Sequence, residues 1–148
     1  MKIEQLLQKI ETRGRGEALI DQGRTYTFND LVKKIAHHKS TFLSLGLKSG
    51  QVVALQSDYS LQSISTLLAL WSNKNIVVLI PMYSKNQDSL LAETQTEWMI
   101  YSKTKDEIHC EKTASQVDHP LLVALQKSRA PGFVIFSSGS TGKAKAIL

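Results

Sequence analysis

The chain has 148 residues, 42% of them hydrophobic, a formal net charge of +5 and a single cysteine, Cys110. That size and apolar content suit one domain with a real core, the lone thiol excludes an internal disulfide, and no apolar run approaches the ~20 residues of a membrane span. The lysines are scattered, as in the pair Lys33-Lys34, with no aromatic platform beside them, so nucleic acid is not an expected partner.

Ile3, Leu6, Leu7 and Ile10 recur at helical spacing, and Thr12-Arg13-Gly14-Arg15-Gly16 reads as a flexible joint after them. Residues 19–21 and 25–27 flank Gln22-Gly23-Arg24 as a short hairpin. Thr27 with Asp30 three residues on predicts a capping box. The helix behind it carries Leu31, Ile35, His38, Phe42 and Leu45 on one stripe, with Gly46 as its stop. Val52–Gln56 is the next strand; Leu61, Ile64, Leu67, Leu68 and Trp71 then mark a second amphipathic helix. Ile76–Ile80 reads as a strand buried on both faces, and Ser84 with Gln87 predicts a cap for a third helix through Leu90 and Leu91. Strands follow at 98–101 and 107–110. Pro120 opens a helix across 121–125, and 132–136 is a strand. Helices alternating with continuously apolar strands predict an α/β fold: a mostly parallel sheet flanked by helices on both faces. In such folds ligands bind at the carboxyl ends of the strands.

The strand Phe133-Val134-Ile135-Phe136 runs straight into Ser137-Ser138-Gly139-Ser140-Thr141-Gly142-Lys143-Ala144-Lys145. Glycines let backbone approach a ligand without a Cβ in the way, and consecutive amides in such a turn form an anion-binding concavity. The hydroxyls of Ser138, Ser140 and Thr141 add donors, and Lys143 and Lys145 add positive charge, a combination suited to a polyphosphate. A Ser/Gly-rich surface turn between strands is the competing reading of the same composition. The stretch is not a Walker loop: Gly139 and Gly142 are two residues apart, and Ala144 follows Lys143.

The segment 137–146 resembles, without gaps, the phosphate loop of the AMP-forming adenylate synthetases, Thr-Ser-Gly-Ser/Thr-Thr-Gly-x-Pro-Lys-Gly. That family includes acyl-CoA synthetases, peptide-synthetase adenylation domains and luciferases. Ser137, Ala144 and Ala146 depart from the pattern at its Thr, Pro and final Gly, which alters the rigidity of the loop's exit. Upstream, residues 18–28 are similar to the family's opening hairpin and helix start, residues 45–54 to its Leu-Gly-Val-x-x-Gly-Asp-x-Val-Ala turn, and Pro81 to a proline after a buried strand. The resemblance implies that residues 1–148 form the N-terminal part, about a third, of an adenylation domain, with the chain stopping just past its phosphate loop as an excised or truncated piece would. It implies that 138–142 wrap the β- and γ-phosphates of ATP, with Lys145 at the family's lysine position. It implies an intact enzyme that uses ATP and Mg²⁺ to convert a carboxylic acid to an acyl-adenylate. The acyl group then passes to a thiol, of coenzyme A or a carrier protein. The chain alone is expected to be inactive and to self-associate through apolar surface. With no signal peptide in the sequence, the cytoplasm is the expected compartment.

Two other readings stand beside this one: a non-catalytic nucleotide- or phosphate-binding module, and a structural or interaction domain. No catalytic residue and no metal ligand is assigned within the chain. His37 and His38 are adjacent, so on a helix they diverge by about 100° and cannot act as i,i+4 ligands. His38 reads as a satisfied histidine at the core edge and His37 as solvent-facing. His109 and His119 lack a local partner pattern, Trp71 and Trp98 read as core, and Cys110 reads as an apolar filler.

Overall fold

Strand pairing organises the chain. The computed structural model describes residues 2–84, 86–102, 107–137 and 145–148. In order these form α1 (Ile3–Thr12), β1 (Glu17–Asp21), β2 (Arg24–Thr27), α2 (Phe28–Leu45), β3 (Val52–Gln56), α3 (Leu61–Ser72), β4 (Ile76–Ile80), α4 (Gln87–Glu93), β5 (Trp98–Ser102), β6 (Ile108–Lys112), α5 (Pro120–Ser128), β7 (Gly132–Ser137) and β8 (Lys145–Ile147). β1 and β2 make a separate hairpin, and the other strands form one sheet in the order β6-β5-β3-β4-β7-β8. Its centre, β5-β3-β4-β7, is parallel; β6 and β8 add antiparallel edges.

The period-2 alternation of the central strands divides the core in two. Val53, Leu55, Val77, Trp98 and Ile100 face one way and pack with Ile3, Ile10, Leu31, Ile35, Phe42 and Leu68 of α1, α2 and α3. Val52, Ala54, Ile76, Val78, Ile80 and Val134 face the other way, against Leu90 of α4 and Leu122 of α5. Helices therefore cover both faces, as a parallel sheet requires.

The Thr27 capping box forms as expected: the Asp30 amide donates to Thr27 Oγ1 at 3.2 Å, and the Thr27 amide donates to the Asp30 carboxylate at 2.9 Å. The end of α2 departs from the expected stripe, because Leu45 is 45% exposed. Gly46 turns left-handed at φ 75°, Leu47 N donates to Phe42 O at 3.0 Å, and Leu47 takes the core position instead.

Three further expectations are corrected. The Thr12–Gly16 joint is tied down: Asn29 N bonds Gly14 O, Phe28 N bonds Gly16 O, and the Arg13 guanidinium lies over the Phe28 ring. Ser84 does not cap α4, which begins later, at Gln87; Ser84 N closes a turn onto Pro81 O, and the Gln87 side chain is drawn to Gln56 and Met99. In α3 the apolar residues Leu61, Ile64, Leu67 and Trp71 are only half-buried, whereas Gln62, Ser65 and Thr66 are fully buried, because this helix is covered on more than one side.

Candidate functional site

The β-branched and aromatic residues of β7 favour an extended chain, and the first half of β7 is held in the sheet by β4. Ile76 pairs with Gly132, Val77 with Phe133 and Val78 with Val134. Phe133 packs edge-on against Trp71 (5.6 Å between centroids, 72°), whose Nε1 donates to Gly132 O at 3.0 Å. Gly132 sits where side chains converge: a Cβ there would lie 2.3 Å from Leu125 Cδ2 and 3.0 Å from Ile76 Cγ2. The second half of β7 pairs with β8, Ile135 with Ile147, Phe136 with Ala146 and Ser137 with Lys145.

Ser137 and Lys145 thus stand opposite each other at the loop end of the β7–β8 hairpin, at the carboxyl end of a parallel strand. Lys145 is exposed and Ser137 half-buried. Ser138, Gly139, Ser140, Thr141, Gly142 and Lys143 lie outside the described residues. Within β8, Ala146 N donates to the Glu93 carboxylate of α4 at 3.5 Å.

At the opposite, amino end of the sheet a polar clamp aligns the strands. The fully buried Asn75 donates from Nδ2 to Lys48 O (2.9 Å) and Gln51 O (3.1 Å), and its backbone carbonyl accepts from Gly132 N (3.2 Å). Gln51 in turn accepts from Trp98 Nε1 and donates to Glu97, while Glu97 accepts from Val52 N. One asparagine therefore connects the starts of β3, β4 and β7. No local pattern distinguishes it from a turn asparagine, so only the tertiary packing exposes its role.

His38 is buried as expected but is not satisfied: neither ring nitrogen has a protein partner. Burial, with help from Lys34 and His37, pushes its pKa down to about 4, so the ring is neutral near pH 7. His37 is exposed. His109 does have partners. Its Nε2 lies 2.9 Å from the Glu111 carboxylate, and the ring is 4.9 Å from that of Tyr101, its cross-strand neighbour, whose hydroxyl also donates to Glu111. The His-x-Glu spacing on one strand face was the available signal. Burial pushes the Cys110 thiol up to about 11, which keeps it protonated and makes it a poor nucleophile. Among the described residues, no group of three or more His, Cys, Asp or Glu is arranged to hold a metal ion, and no helix is long and apolar enough to cross a membrane.

No family model and no curated protein matches the chain. Solved structures do. The N-terminal subdomain of Klebsiella oxytoca NpsA in complex with 3-hydroxyanthranilyl-AMSN is 20% identical with a TM-score of 0.75, covering 99% of this chain and 40% of that one. VinN in complex with L-aspartate is 17% identical with a TM-score of 0.72, covering 99% and 47%. The inhibitor-bound N-terminal domain of FACL13 from Mycobacterium tuberculosis is 18% identical with a TM-score of 0.70, covering 99% and 44%. The mixed sheet with its five helices is therefore the fold found in the N-terminal subdomain of adenylate-forming enzymes. The chain spans 40% of the length of the NpsA structure, and at this level of identity the likeness is one of fold.

Proposed function

We propose that this chain is the N-terminal part of an ATP-dependent, AMP-forming carboxylate ligase, in which residues 137–145 grip the outer phosphates of ATP. The observation that carries the reading is the position of the Ser-Gly-Ser-Thr-Gly-Lys-x-Lys stretch. It connects β7 to β8 at the carboxyl edge of a parallel sheet, within a fold shared with adenylation subdomains. The hydroxyl of Ser137 and the ammonium of Lys145, brought opposite each other, are donors that a phosphate accepts, so the ends of the loop fit such a ligand. ATP supplies the α-phosphorus that a carboxylate attacks and pyrophosphate as the leaving group. In this reading Lys145, with Lys143, offsets the charge that builds on the departing pyrophosphate, and the loop hydroxyls and amides orient it.

Mg²⁺ would accompany ATP, and no residue of this chain is assigned to it. Transfer of the acyl group to a thiol, of coenzyme A or a carrier protein, completes the proposed activity of the whole enzyme, in the cytoplasm. The chain alone is expected to lack ligase activity, since positioning of two reactants is worth about 7–11 kcal/mol and no residue of this chain is assigned to set a carboxylate against the α-phosphorus. Self-association belongs to the same reading: exposed Leu121 and Leu148 line a groove with Leu122 and Val134, and Ile135 and Ile147, paired across β7 and β8, are exposed as well.

Thermal shift with pyrophosphate, ATP and AMP tests the phosphate site, because a ligand that binds only the native state raises its stability. Pyrophosphate should raise the Tm of the parent and of Lys33→Ala, which removes an equal charge from the surface of α2, but not that of Lys145→Ala. Equal shifts in both variants would reduce Lys145 to background charge and favour a simple turn.

A further inference from the structure

A second polar site lies away from β7 and β8. The β1–β2 hairpin, α2 and the first turn of α3 enclose a cleft of about 320 Å³ lined by Asp21, Arg24, Tyr26, Lys34, Leu61 and Gln62. That volume is in the range of small-molecule sites. Two features give it chemical character. Its charged lining is Arg24, Lys34 and one carboxylate, Asp21, which accepts from the Leu61 amide at 3.3 Å. Arg24 is exposed, and its guanidinium lies 4.9 Å from the Tyr26 ring centroid, which restricts the side chain to the cleft's edge.

The second feature is Gln62. It is only 3% exposed, and neither its amide nitrogen nor its carbonyl oxygen has a hydrogen-bond partner in the protein. Native proteins seldom bury a primary amide this way, and each instance asks for an explanation such as a ligand. Two more buried groups without protein partners continue the pattern: Thr66 one turn along α3 from Gln62, and His38 one turn along α2 from Lys34. A purely structural α2–α3 seam would be served better by apolar side chains at these positions.

We propose that this cleft binds a small molecule through an oxyanion, phosphate or carboxylate, with Arg24 as the charged fork and the Gln62 amide as a neutral donor on the wall. A guanidinium fork matches either anion in a bidentate geometry. The site is independent of the hairpin loop, since none of its lining residues comes from β7 or β8.

The test is a residue-resolved NMR titration of the ¹⁵N-labelled chain with inorganic phosphate and, separately, acetate, each against sodium chloride at matched ionic strength. Saturable shifts are expected at the Arg24, Leu61 and Gln62 amides and at the Gln62 side-chain amide. Arg24→Ala should weaken this response at least about 10-fold, as loss of a charge-assisted pair would. Gln62→Leu should weaken it about 5-fold while keeping Tm at or above the parent, because leucine needs no partner. Lys145→Ala should leave these shifts intact. A stronger response to phosphate assigns a phosphoryl ligand, and a stronger response to acetate a carboxylate. Shifts reproduced by chloride, shifts confined to Ser137 and 145–148, or undiminished binding by Gln62→Leu would each overturn the site.

Discussion

Replacing Gly132 with alanine should destabilise the fold through a specific collision. The added Cβ would stand 2.3 Å from Leu125 Cδ2, and 3.0 and 3.1 Å from two carbons of Ile76. Carbon atoms pack best at about 3.5–4.0 Å, so the overlap with Leu125 exceeds 1 Å. Leu125 is half-buried on α5 and can rotate away, at a cost on the order of 0.5–1.5 kcal/mol for an off-rotamer side chain. Ile76 cannot easily give, because it is fully buried in a central strand. Overpacking of this kind costs roughly 1–3 kcal/mol, and the stiffer unfolded chain of the alanine variant returns about 0.4–1 kcal/mol. The net loss should be about 1–2 kcal/mol, seen as a lower urea midpoint at unchanged slope and a Tm lower by roughly 2–8 °C. The double variant Gly132→Ala/Leu125→Ala separates the collision from any general weakening of β7. Leu125→Ala makes room, so the pair should be more stable than the sum of the single losses by about 1 kcal/mol. Strict additivity, or a Gly132→Ala protein as stable as the parent, would show that β7 and α5 do not approach as closely as described.

Three other outcomes follow from the same packing. Asn75→Ala should cost about 1–3 kcal/mol in urea unfolding, since it removes a buried amide that bonds the carbonyls of Lys48 and Gln51; a loss under half a kcal/mol would mean the clamp is not closed. His38 takes up a proton near pH 4 when folded but near 6.5 when unfolded, so the unfolded chain binds more protons between these values. Stability should therefore fall as pH drops from about 6.5 to 4, by an amount on the order of 3 kcal/mol, and His38→Leu should flatten that part of the profile; an unchanged slope would assign the acid sensitivity elsewhere. Cys110, with its pKa near 11, should react with iodoacetamide at pH 8 roughly 100-fold more slowly than a small free thiol, and alkylation at the free-thiol rate would contradict its burial.

Local chemistry determined most of the element pattern. Thr27 and Asp30 are three apart, Gly46 needs a left-handed φ at a helix end, and Val52–Gln56 and Ile76–Ile80 are too continuously apolar for a one-sided sheet. These signals act within a few residues, so they can be read along the chain. The Ser-Gly-Ser-Thr-Gly-Lys stretch stands out along the chain for the same reason, as an ordered run of small, hydroxyl and basic residues. Tertiary structure decided what depends on partners distant in sequence. It moved the core position from Leu45 to Leu47, delayed α4 to Gln87, set Tyr101 beside His109 across the strand pair, and left His38 and Gln62 buried without protein partners. It also set Lys145 opposite Ser137, made Asn75 the tie between three strands, and gathered Arg24, Lys34 and Gln62 around one cleft. Helical and strand periodicities report which face of an element is apolar, but not which other element will cover it or which polar groups that covering brings together.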